Sequence, residues 1–278
     1  MIVPKAQSVA LAVNYSPQAS ELFRSGRADF DWFKSPDWPD ALRDAQRDRP
    51  TYVHYDLMAG QGQPAAVIER VRESIDTTNT LFINTHVAPS AEDLAVLSRS
   101  DAERQARRGV RADIQQLCDT FGAERVVVEN VPWETRPDYP IDRIAAEPEF
   151  VSDLLQETGA MLLLDLAHAH IATDELGLQA RPFIEAHPTD RLRELHVTGI
   201  GEDASGRLRE SMPMRKSDWH LLAWALDQIA GGAWSRPWVV TLEYGGVGPH
   251  FEWRTDIDIL EGQLARCGAM LRERRLRD

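Results

Sequence analysis

The chain has 278 residues, enough to bury a large core without disulfides or a structural metal. With 31 Lys+Arg against 44 Asp+Glu it carries a formal charge of −13, which disfavours a nucleic-acid partner, since phosphate binding calls for a basic face. Apolar runs such as residues 161–164 are far too short to span a bilayer, which argues against membrane association.

The two cysteines, Cys118 and Cys267, are isolated and form no CxxC. They read as buried, reduced thiols in a cytoplasmic protein.

The run at 9–15 reads as a first strand, because it is too short for a secretion signal. Strands two and three are expected at 30–34 and 52–57. A helix follows over 64–76, where Ala65, Ile68, Val71 and Ile75 recur at spacings of three and four. A fourth strand is expected at 81–87, then a helix over 91–121 that opens near Ser90 and Asp93. The fifth strand, 125–131, holds Val126-Val127-Val128, and a proline-rich aromatic loop follows over 132–140. The sixth, 161–166, holds Leu162-Leu163-Leu164; such continuous apolar runs suit strands covered on both faces. The seventh strand, 194–198, precedes a helix over 217–229 with Leu221, Leu222, Ala225 and Ile229 on one side. The eighth, 238–244, precedes a helix over 257–271, and the charged tail 272–278 is expected in solvent.

Eight strand-then-helix units predict an α/β chain, a (β/α)8 TIM barrel forming one domain over residues 1–278. An open doubly wound sheet is the other arrangement. No GxGxxG or GxxxxGK(S/T) follows the first strand, so a dinucleotide or P-loop reading has no support.

Active sites of barrels sit where strands end. His54, His86, Glu129, Asp165, His196 and Glu243 lie within or at the ends of six of the expected strands. His168 follows Asp165 by three residues, with His170 as an alternative, and Asp218 and His220 open the seventh helix. Imidazoles and carboxylates are the donors that zinc, iron and manganese share. Nine such groups exceed the needs of one ion, so two or three metal ions are expected. Taken alone, each residue suits an ordinary hydrogen-bonding role. Buried charges are costly unless paired or coordinated, and six at the same strand ends point to metal.

Glu129, Asp165 and Glu243 are the candidate catalytic carboxylates, with Glu129 suited to bridge two ions. Asn84, Asn130 and Trp133 share those strand ends and are candidate substrate contacts. Lys34, Arg215 and Lys216 could contact an anion, or be ordinary surface charges. Trp219 is expected to cover a helix start. His187 and His250, each beside proline, read as surface loop residues.

The order His54, His86, Glu129, Asp165-x-x-His168, His196, Asp218-x-His220, Glu243 resembles that of the xylose-isomerase-like TIM barrels with trinuclear sites, including endonuclease IV-type enzymes. Val128-Glu129-Asn130-Val131, Leu162-Leu163-Leu164-Asp165, Leu195-His196-Val197-Thr198-Gly199 and Leu242-Glu243-Tyr244 look more like the multinuclear non-heme iron-dependent oxidases. That family often carries asparagine where His168 stands, and its opening strand differs. The resemblance implies an O2-dependent iron oxidase whose substrate is a cysteine-containing peptide or small thiol, with a partner protein often presenting it. The other readings are a zinc-dependent phosphodiesterase, a metal-dependent sugar isomerase or epimerase, and a non-enzymatic binding role. Iron is the expected metal, with zinc or manganese as alternatives.

Overall fold

The computed structural model describes residues 8–136, 139–203, 206–249, 251 and 254–278. His250 lies outside the described residues, so its expected surface position has no structural counterpart here.

The strands are β1 (Ala10–Asn14), β2 (Trp32–Pro36), β3 (Thr51–His54), β4 (Met58–Ala59), β5 (Ile83–Val87) and β6 (Val126–Glu129). They continue as β7 (Met161–Asp165), β8 (Leu192–Val197), β9 (Gly199–Glu202), β10 (Leu208–Met212) and β11 (Val239–Leu242). The helices are α1 (Pro17–Arg24), α2 (Pro39–Gln46), α3 (Ala65–Thr77), α4 (Ala91–Ala95) and α5 (Arg99–Phe121). After them come α6 (Pro148–Thr158), α7 (Leu166–Leu176), α8 (Ala180–Glu185), α9 (Lys216–Ala230) and α10 (Ile257–Glu273). Each of the eight expected strands is present in whole or part, and a helix follows each, after β4 in the case of β3 and after the β9–β10 pair in the case of β8. Among the described residues no helix is long and apolar enough to cross a membrane.

The chain divides into two compact units, residues 8–52 with 193–278, and residues 53–192. In the first, β3-β2-β1-β11-β8 are hydrogen-bonded in that order. Their registers bring Leu11 beside Val240 and Thr241 beside His196, with parallel strands. The tail expected in solvent is instead docked here. Leu276 is buried, its carbonyl accepts from Val9 N at 2.6 Å, and Arg277 donates to Asp31 at 3.0 Å. One apolar residue within the charged run supplies the anchor.

In the second unit the order is β7-β6-β5-β4, again with parallel registers. Val126–Val128 and Leu162–Leu164 are fully buried, as runs covered on both faces should be. Helix α5 turns Ala106, Val110, Ile114, Leu117 and Cys118 inward, a stripe at helical spacing. The single helix expected over 91–121 is two, because Ser98 Oγ accepts from Asp101 N and starts a second helix. Gly60 (φ 106°) makes the turn after β4 possible: a Cβ there would lie 2.9 Å from Pro89 Cα and Val110 Cγ2. Asp113 of α5 secures that turn by accepting from Gly60 N at 2.7 Å and Gly62 N at 2.9 Å.

His187 is buried, not on the surface. Its Nδ1 donates to the Phe183 carbonyl at 3.1 Å, which satisfies the ring inside the core.

Candidate metal centre

Strand register assembles the acidic cluster of the second unit. In β5 and β6, His86 sits directly opposite Glu129, the last residue of its strand. His86 Nε2 is 3.1 Å from Glu129 Oε2, and His54 Nε2, at the end of β3, is 3.5 Å from the same oxygen. Asp165 ends β7 and caps α7: its Oδ1 accepts from His168 N at 2.8 Å. An Asp-x-x-His spacing is therefore a helix cap followed by a side chain one turn on. His168 Nδ1 lies 3.5 Å from Glu129 Oε1, and its Nε2 lies 3.8 Å from Asp165 Oδ2. Donor atoms of Glu129, Asp165 and His168 all lie within 4.8 Å of one another. His170 joins no such group among the described residues, so His168 is the histidine of this motif that faces the acids.

Backbone carbonyls fix the tautomers. A carbonyl only accepts, so Nδ1 must donate in His168, 2.8 Å from Asn130 O, and in His86, 3.4 Å from Leu57 O. Nε2 of each ring then carries a lone pair. In the neutral ring of His86 that lone pair faces a carboxylate oxygen 3.1 Å away, a repulsion that either a proton or a metal ion between them relieves. Such backing of a ligating imidazole is usual at metal sites. The donor set fits a divalent ion.

The candidate substrate asparagines serve this framework. Asn84 accepts from Tyr55 N at 2.7 Å, donates to Tyr55 O at 2.8 Å, and sets Nδ2 3.1 Å from His54 Nε2. Asn130 accepts from Asp165 N at 2.8 Å and donates to Asp165 O at 3.0 Å. Trp133, with Glu134, Arg136 and Tyr139, lines a cavity of about 620 Å³.

The first unit holds a buried network of its own residues. His196 Nδ1 is 2.8 Å from Glu243 Oε1, and Lys34 Nζ pairs with that same oxygen. Lys34 is thus a buried partner of an acid and not a surface charge. His196 Nε2 lies 2.8 Å from Glu194 Oε1, which also accepts from the Tyr52 hydroxyl at 2.6 Å. Glu194 and Tyr52 escaped the sequence reading. Their signal was the Glu194-x-His196 spacing, which sets both side chains on one face of a strand.

Asp218 and His220 join neither cluster among the described residues. Both lie within α9, where positions two apart point to opposite sides. Asp218 is buried and accepts from Arg215 N at 2.7 Å at the start of α9, while His220 is exposed. Arg215 is exposed at that helix start. Trp219 is buried beneath Arg266, whose guanidinium carbon is 4.2 Å from the ring centroid.

Comparison with known proteins gives this geometry a context. A UPF0276 protein of a Caulobacter species is 25% identical over 162 residues, 56% of each chain. One from Acinetobacter baylyi is 30% identical over 149 residues, 53% of this chain and 49% of its own. The chain thus spans about half the length of these relatives. Among solved structures, a xylose isomerase domain containing protein from Salmonella typhimurium is similar, with TM-score 0.60 at 13% identity over 95% of this chain and 97% of that one. An AP endonuclease, family 2, from Brucella melitensis gives TM-score 0.57 at 14% identity, covering 94% and 98%. These likenesses show the xylose-isomerase-like TIM-barrel fold. The model of the RiPP precursor modification enzyme MbnB/TglH/ChrH matches residues 31–235. By that match, spanning most of the sequence and every residue of the second unit's acidic cluster, the chain belongs to the MbnB/TglH/ChrH family of RiPP precursor modification enzymes.

Proposed function

We propose that this protein is a multinuclear non-heme iron-dependent oxidase that modifies a cysteine-containing peptide, using O2 as oxidant. The observation that carries the reading is the pairing of the family match with the Nε2 atoms of His86 and His168 turned toward Glu129 and Asp165. The residues that would hold ions are His54, His86, Glu129, Asp165 and His168 in one unit, and His196 and Glu243 in the other. Bound iron would supply electron transfer to O2 and a site that accepts a substrate thiolate.

The chain's own groups then have defined tasks. Glu129, 1% exposed, offers both oxygens to neighbouring imidazoles and can bridge two ions. Burial of Asp165 and His168 keeps bulk water away from the reacting centre. Asn84 and Asn130 hold ligand geometry instead of touching the peptide. The cavity beside Trp133, lined also by Glu92, Glu134, Arg136 and Arg143, would receive peptide side chains, whether the peptide arrives free or on a partner protein.

The test is direct. Protein purified without chelator or added metal is analysed for iron and zinc, then incubated with free cysteine and short cysteine-containing peptides. Iron in excess of zinc and a peptide mass change that requires O2 are expected. Equal conversion without O2 would remove the oxidase claim.

A further inference from the structure

His196 sits between two acids. Its Nε2 and Nδ1 lie 2.8 Å from Glu194 Oε1 and 2.8 Å from Glu243 Oε1, with the ring fully buried. A neutral imidazole carries one N–H, so it donates to one acid and turns a lone pair to the other. The two contacts differ in kind. The Nε2–Glu194 contact has hydrogen-bond geometry, whereas the Nδ1–Glu243 approach does not. Glu194 Oε1 also accepts from the Tyr52 hydroxyl, which lies 2.8 Å from Thr241 Oγ1. Glu243 Oε1 instead already faces a cation, the Lys34 ammonium.

We propose that Glu194, backed by Tyr52, is a positioning residue that accepts the Nε2–H of His196 and commits the ring to presenting its Nδ1 lone pair, beside Glu243, to a metal ion. The inference rests on the reading of His196 and Glu243 as ligands. It gives His196 the opposite polarity to His86 and His168, which turn Nδ1 to a backbone carbonyl and Nε2 to the acids. A carboxylate behind the ring also makes it a stronger donor than a carbonyl does.

Histidine tautomers are readable by NMR in metal-free protein labelled with 15N-histidine, with His196→Ala assigning the signal. Wild type is expected to carry the proton on Nε2. Glu194→Gln, which can donate as well as accept, should give a mixture, and Glu194→Ala should lose the bias. In chelator competition for iron(II), both Glu194 variants should bind about 10–100-fold more weakly, and Tyr52→Phe less so. A proton on Nδ1 in wild type, or a tautomer unchanged in both Glu194 variants, would overturn the inference while leaving the ligand reading intact. Unaltered iron affinity in His196→Ala would instead remove His196 as a ligand, and the positioning role with it. If Glu194→Ala fails to fold, the wild-type tautomer and the near-isosteric Glu194→Gln still decide the positioning role.

Discussion

His86 turns Nε2 to within 3.1 Å of Glu129 Oε2 across a strand pair in exact register, lone pair facing carboxylate. With the ring neutral, such a contact is repulsive until a proton or a metal ion enters it. Metal should therefore stabilise the fold strongly: at 100 times Kd, binding adds about 2.7 kcal/mol. In a chain of this size that raises Tm by roughly 5 °C. Thermal melts with iron(II) under argon, against chelator, should show the rise in wild type and little of it in Glu129→Gln. An equal rise in both would mean that ions bind elsewhere.

Burial pushes the His187 pKa down from 6.5 to about 4, against the opposing pull of its bond to the Phe183 carbonyl. Above pH 6.5 the ring is neutral folded and unfolded. As pH falls below that, the unfolded chain takes up a proton that the folded chain refuses, so stability declines until about pH 4. By pH 5 the loss from this ring is about 2 kcal/mol. Urea midpoints at pH 7 and pH 5 should thus fall further for wild type than for His187→Gln. Identical falls would show that the ring titrates normally.

Arg277 donates to both oxygens of Asp31 at 3.0 Å, and Asp31 Oδ2 also accepts from Leu11 N at 2.8 Å. Arg277→Ala should cost about 2 kcal/mol, since it removes charged hydrogen bonds near the start of β1. Leu276→Ala should cost a further 2–3 kcal/mol or so by leaving a cavity. Denaturant unfolding measures both. A free, solvated tail would make either change silent.

Burial also pushes the thiols up, Cys118 to about 11 and Cys267 to about 12. At pH 8 almost no thiolate is present, and thiolate is the reactive form. Native protein should stay unlabelled by Ellman's reagent for as long as it remains folded, then release two equivalents in guanidinium. Fast native labelling would contradict the burial.

The strands were legible because Val126–Val128 and Leu162–Leu164 advertise burial on both faces. Asp165 and His168 were legible because a helix cap and the residue one turn later have a fixed spacing. The β9–β10 hairpin was not: Gly199 and Gly201 interrupt any alternation, and their partners mix charged with apolar residues. Asp218 and His220 share an Asp-x-His spacing that α9 realises as a buried acid at its cap and an exposed imidazole. Lys34 was misplaced for a different reason. A lysine beside apolar residues gives no sign in sequence of the acid that will meet it more than two hundred residues later.

One side chain, Asn130, clasps the backbone of Asp165 at both N–H and carbonyl, while its own carbonyl receives His168. With Glu129 as its chain neighbour, it ties three donors into a corner that folding alone completes. Little ordering entropy would then be left to lose if an ion bound, and exchange of one divalent species for another should leave the scaffold unmoved. Discrimination between them falls to donor softness and cellular supply, not to the shape of the cradle.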